Sequence, residues 1–197
     1  MKKIAGGVCA AKGFLASGIH CGIRKNKTKK DLALIYSEKR ASAAAVYTTN
    51  LGKGAPLTVT RENISDGFAQ AVICNSGNAN TCNANGIEIA TQMCALLGEE
   101  LHISGKDVVV ASTGVIGQPL DIAPIQKGIP ALVAGLGKNS EAACEGIMTT
   151  DTKLKQVAVK FKIGDRDCVV GGISKGSGMI HPNMATMLCF VTPDVAV

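Results

Sequence analysis

Four polar turns carry the residues of this chain best suited to chemistry, and each adjoins an apolar or helix-like run. They are NSGNAN at 75–80, STGVIG at 112–117, TTDT at 149–152 and KGSGMIHPNMATML at 175–188. Hydroxyls of Ser and Thr, beside backbone amides freed by glycine, suit a site that must stabilise a developing oxyanion. Lys175 adds a positive charge, and Thr186 stands where the last glycine-rich loop gives way to the apolar MLCFV. The same residue types also build ordinary turns, and composition does not separate the two readings.

Other chemistries match less well. LVAGLGKNS has Leu132 where a phosphate loop needs its first glycine, and KGSGMIH lacks the third glycine of a dinucleotide fingerprint. His20, His102 and His181 have no metal-ligand spacing, and no GxSxG elbow supports a serine triad. The eight cysteines form no CxxC pair. Several lie in runs such as AVICN and MLCFV, where a thiol serves as a small hydrophobe. A reducing, cytoplasmic setting without metal or cofactor is expected. Much of the net charge of +6 sits in RKNKTKK at 24–30, which reads as a solvated loop. With 3% aromatic residues, a nucleic-acid surface would lack stacking platforms, whereas small anionic substrates fit the charge. The first 20 residues faintly mimic a signal peptide, but Gly6, Gly7 and Lys12 interrupt the apolar stretch. No run approaches the roughly 18 apolar residues that span a bilayer, so a soluble protein with no membrane partner is expected.

The elements that must position these turns are aliphatic. Strands are expected at 31–36, 43–49, 56–60, 69–75 and 107–112, the last buried on both faces. Helices are expected after Asn85, which can cap the first, with a stop at Gly98; at 124–136, with Pro130 inside; and at 140–148. QVAVKFKI alternates Val157, Val159 and Phe161 with polar neighbours, predicting one wet face, and Gly164 with Asp165 predicts a turn into a return strand. Strands and helices interleave, which gives a mixed, layered α/β fold. No repeat or linker divides residues 1–197, and the terminal strand-like segment points to one part of a larger fold completed by a second chain.

Seven ordered motifs make the chain resemble the ornithine acetyltransferase family: AAKGFLASGIHCGI, KKDLALI, AAVYTTN, CNSGNAN, ASTGVIG, IMTTDT and KGSGMIHPNMATML. The resemblance implies a precursor that cuts itself between Ala185 and Thr186, leaving an N-terminal α-chain and a C-terminal β-chain that assemble as an α2β2 heterotetramer. It implies that Thr186 is the nucleophile, that Thr113 and Gly114 form the oxyanion hole, and that Thr152, Lys175 and Thr186 bind substrate. Thr152 is preferred there to Thr149 or Thr150. Asn78 and Asn80 either line the site or serve the turn. The implied reaction moves an acetyl group from N²-acetylornithine to glutamate in arginine biosynthesis, with acetyl-CoA open as a further substrate. A self-processing N-terminal-nucleophile amidohydrolase or aminopeptidase, and a non-enzymatic binding subunit, stand as alternatives. The sequence continues eleven residues past Thr186, so the chain is read as uncut, cut elsewhere or artificially divided.

Overall fold

The computed structural model describes residues 1–177 and 187–195. Its β-branched and aliphatic runs pair into two four-stranded sheets. The first has the order β2-β3-β4-β5, built from Phe14–Ile19, Leu32–Ser42, Phe68–Asn78 and Val108–Val115. Its pairs are antiparallel except β4 with β5, which run parallel. A parallel pair needs a crossover, and helix α2 (Gly86–Leu101) lies in that connection. The second sheet is antiparallel throughout, with the order β1-β6-β7-β8: Lys2–Ile4, Lys155–Ile163, Arg166–Lys175 and Leu188–Pro193.

Side chains alternate across a strand, and the burial follows that period. One face of the first sheet presents Leu32, Leu34, Ile73, Val108 and Val110 to helices α1 (Ala55–Asn63), α2 and α3 (Ala123–Ala134). Met93, Leu97, Ile125, Ile129 and Leu132 meet them from the helices. The other face, with Ala16, Ala33, Ile35, Cys74 and Ala111, packs with Ile173 of the second sheet and with Cys144 and Ile147 of α4 (Ser140–Ile147). Helix α4 touches β2, β3 and β4 on one side and β6 and β7 on the other. This inter-sheet layer is the floor of the site described below.

Several expectations change. Residues 56–60 are helical, not extended: Pro56 occupies the first turn, where a missing N–H costs nothing, and Val59 and Thr60 turn inward. The Thr60 hydroxyl accepts from the Val110 amide (3.0 Å) and donates to its carbonyl (2.7 Å). It thereby satisfies the outer edge of β5, and this tertiary bond overrides the β-branched propensity. Residues 43–49 form no strand, and Val46 is exposed there. The Tyr47 ring instead lies under the Arg61 guanidinium. Asn85 precedes α2 without a side-chain cap, and the helix passes Gly98 to end at His102 in the left-handed region (φ 56°). Strand β6 keeps the expected alternation at Val159 to Lys162, where the lysines are exposed and Val159 and Phe161 half-buried, and reverses it just before. Val157 points outward at 49% exposure, and the buried position is Ala158. Pro130 lies within α3, β3 runs six residues past its expected end to Ser42, and the other expected strands and helices stand within a few residues of their predicted bounds. No helix of the described residues is long and apolar enough to cross a membrane.

Candidate active site

Strands β4 and β5 end side by side, in a register that pairs Asn75 with Ser112, Ser76 with Thr113 and Gly77 with Gly114. Alternation sends the first pair to the helical face, where the Ser112 hydroxyl donates to Asn75 Oδ1 (2.6 Å) and Asn75 Nδ2 donates to the Asn78 carbonyl (2.9 Å). The second pair faces the inter-sheet layer, on the side of Cys74 and Ala111. Thr113 is buried. Gly114 has φ of 135°, and a Cβ there would strike the Gly77 carbonyl carbon and the Asn78 amide nitrogen. Only glycine allows the two strand ends to approach this closely.

Lys175 ends β7 on the opposite wall of the same layer. It follows Ile173 on the inner face and is 4% exposed. Its Nζ donates to the Gly176 carbonyl at 2.8 Å. Burial lowers the Lys175 pKa, against the pull of Asp151 and of the nearby Cys74 thiol. The same proximity acts on Cys74, which burial pushes up to about 12 while Lys175 draws it down. Cys74 stands two residues before Ser76, so Lys175, Ser76 and Thr113 share one layer.

Asp151 joins two of the polar turns. Its side chain is 3% exposed. It accepts from the Gly176 amide (2.7 Å), the Thr149 amide (3.2 Å) and Lys155 Nζ (2.6 Å). Burial would raise its pKa, but these donors outweigh it and hold the carboxyl at about 2. Thr152 is exposed at the end of this loop, Thr150 is exposed as well, and Thr149 is half-buried. The structure thus brings Thr113 and Lys175 to one layer, sets Gly114 exposed at the adjoining strand end, and ties the Thr152 loop to β7 through Asp151. Ala185 and Thr186, with the expected cleavage point, lie outside the described residues. Asn78 and Asn80 take the turn role: Asn78 Oδ1 accepts from the Asn80 amide (2.8 Å), and Asn80 Nδ2 donates to the Gly86 carbonyl (2.8 Å).

Two organising residues escape a sequence reading. Asp31, fully buried, accepts from the amides of Cys21 (2.6 Å), Gly22 (3.3 Å) and Arg24 (2.9 Å). Its own carbonyl accepts from the Ser76 amide (2.9 Å). His20 is satisfied beside it, with Nδ1 at 3.0 Å from Asp31 Oδ2 and 3.1 Å from the Lys29 carbonyl. Arg24 is held in turn. Its Nη2 donates to the Met148 carbonyl (2.7 Å), and its side chain packs over Gly77. The basic run is therefore solvated only in part: Lys25, Lys27 and Lys29 are exposed, while Lys30 pairs with Glu145 at 2.7 Å. The signal available was KKDLALI, an acidic residue set between a cationic run and a strand.

The sequence pattern of the ArgJ family matches residues 15–197. The chain belongs to that family. It is 49% identical over 199 residues to the arginine biosynthesis bifunctional protein ArgJ of Caldanaerobacter subterraneus subsp. tengcongensis, covering 100% of this chain and 49% of the relative. It is 50% identical over 200 residues to the protein of that name from Symbiobacterium thermophilum, covering 100% and 50%. The chain spans about half the length of the curated relatives it matches. Among solved structures, the ArgJ protein of Bacillus halodurans superposes with a TM-score of 0.84 at 44% identity, covering 93% of this chain and 97% of that one. The ornithine acetyltransferase of Mycobacterium tuberculosis, complexed with ornithine, superposes with a TM-score of 0.86 at 33% identity, covering 93% and 99%. The layered α/β architecture is thus that of the family.

Proposed function

We propose that this chain is the N-terminal part of an N-acetyltransferase of arginine biosynthesis, which moves an acetyl group from N²-acetylornithine to glutamate. The observation that carries the reading is that buried Thr113, next to Gly114 at the end of β5, and buried Lys175, at the end of β7, alternate onto the faces that enclose the inter-sheet layer. A precursor of about twice this length cuts itself between Ala185 and Thr186, and the new N-terminal Thr186 becomes the nucleophile. Its α-amino group, with an ordinary pKa of about 7.7–8.0, takes the hydroxyl proton at working pH. Thr186 Oγ attacks the acetyl carbonyl, and the negative charge that develops on oxygen rests against Thr113 and the Gly114 backbone. Collapse of the adduct breaks the amide C–N bond, and ornithine leaves with the proton on its amine. The glutamate amine then attacks the acetyl-threonine ester, and the released hydroxyl recovers its proton.

Lys175 supplies the positive charge for a substrate carboxylate, and Thr152 a hydrogen bond. An amine meets an acetyl carbonyl in both halves of the reaction, so one site serves both. No cofactor is needed, and acetyl-CoA is a candidate second acetyl donor. The C-terminal half forms the partner chain in a cytoplasmic α2β2 assembly. The outward Val157, Val159, Phe161, Val170 and Val191 of the second sheet fit contact with that half. Thr186→Ala in the full-length protein is expected to abolish both chain cleavage and acetyl transfer, read by intact mass before and after adding N²-acetylornithine. Cleavage retained at residue 186 in that variant would overturn the assignment.

A further inference from the structure

The hydroxyl of Ser76 is fully buried and has no hydrogen-bond partner among the described residues. That is unusual: a buried hydroxyl without a partner destabilises the fold, and most such groups find one. Its neighbour Asn75 shows the ordinary outcome, with both ends of its amide bonded. The Ser76 backbone is held equally firmly, because its amide donates to the carbonyl of the fully buried Asp31 (2.9 Å). The hydroxyl is therefore fixed in place rather than left over in a loose turn.

Its surroundings give its direction. Ser76 follows Cys74 on the face turned toward the second sheet, and Cys74 lies within electrostatic reach of Lys175. Across the parallel ladder its register partner is Thr113. Neighbouring strands are about 4.8 Å apart, so two side chains paired on one face stand roughly that far from each other. Two hydroxyls at that spacing can both reach one oxygen atom between them, each at an ordinary O–H···O distance of about 2.7 Å.

We infer that Ser76 is a further catalytic residue, whose hydroxyl donates a hydrogen bond to the acyl oxygen of the tetrahedral adduct beside Thr113. This inference rests on the acetyl-transfer reading given above. A donor that meets its acceptor mainly in the transition state acts on kcat more than on KM. Its lack of a partner among the described residues is what such a role requires.

The test expresses the full-length precursor as wild type, Ser76→Ala and Thr186→Ala, and measures chain cleavage, acetyl transfer, acetyl-enzyme formation with N²-acetylornithine, and thermal midpoint. Ser76→Ala is expected to lower kcat on the order of 100-fold, with KM for either substrate nearly unchanged and the midpoint unchanged or raised. Wild-type kcat in Ser76→Ala, beside an inactive Thr186→Ala, would overturn the role of Ser76 and leave the acetyl-transfer reading intact. An active Thr186→Ala would overturn that reading, and this inference with it. A loss of kcat matched by a lowered midpoint would make Ser76 structural and overturn the inference. If Ser76→Ala gives no folded protein, Ser76→Cys keeps the size with a weaker donor. The same fall in kcat is then expected at smaller scale, and wild-type kcat overturns the proposal.

Discussion

At the scale of single residues, the site is built from ordinary groups placed under unusual constraint. Lys175 is cationic by nature, and burial works against that charge. Under the proposed function, a substrate carboxylate beside it restores what desolvation takes away. Lys175→Met is therefore expected to lower kcat/KM for both N²-acetylornithine and glutamate by about 10- to 100-fold, the worth of a charged hydrogen bond. Steady-state kinetics on the complete enzyme check it, and an unchanged kcat/KM for both substrates counts against carboxylate binding. That Lys175, Thr113 and Gly114 stand at strand ends was legible because their motifs keep local order along the chain. Arg24 was not. A cation tethered to the Met148 carbonyl, 124 positions away, looks the same in sequence as one pointing into solvent. Ser76 was hidden differently, since only the register with Thr113 separates it from any serine in a turn.

At the scale of elements, the loops are held by carboxylates rather than by regular structure. Asp151 receives three donors from the 149–155 segment and from Gly176, so it fixes the end of β7 relative to the loop before β6. Its folded pKa of about 2 lies below the ordinary 3.8. The stability it contributes is thus complete above about pH 4 and disappears as pH falls through about 2. Asp151→Asn in the complete enzyme is expected to cost about 2 kcal/mol at neutral pH. Urea unfolding should show that difference shrinking between pH 4 and 2. A pH-independent difference would mean that Asp151 acts through shape, not charge. The elements themselves were mostly readable from period and composition, and the failures have a common cause. At 56–60 a β-branched run became helix because Thr60 found the open backbone of Val110. At 43–49 an alanine-rich run had no sheet edge to join.

At the scale of the whole molecule, the two sheets differ in completeness. The first is covered by α1, α2 and α3 on one face and by α4 and the second sheet on the other. The second keeps an outward apolar face, with Val157 at 49% and Val191 at 60% exposure. Under the proposed assembly the C-terminal half buries these positions. Val157→Glu combined with Val191→Glu in the full-length protein should then lower the thermal midpoint and the yield of assembled protein, because a buried unpaired carboxylate costs several kcal/mol. Normal assembly mass and midpoint in that variant would place the partner half elsewhere. Periodicity revealed that one face of β6 would be wet, but the sense of the alternation depends on what packs against each face of the second sheet, which a strand's own sequence does not carry.

The Thr60 clasp on Val110 has a consequence for how the sheet resists pairing with other chains. Strand β5 is an outer strand of the first sheet, and an open outer strand invites pairing with another chain. On the far side, the Ala16 amide and carbonyl of β2 are bonded to Gly137 at 2.8 and 3.2 Å. Both flanks of the sheet that carries Thr113 and Gly114 are thus occupied at these points. Strand-by-strand aggregation therefore finds both margins already engaged at these points.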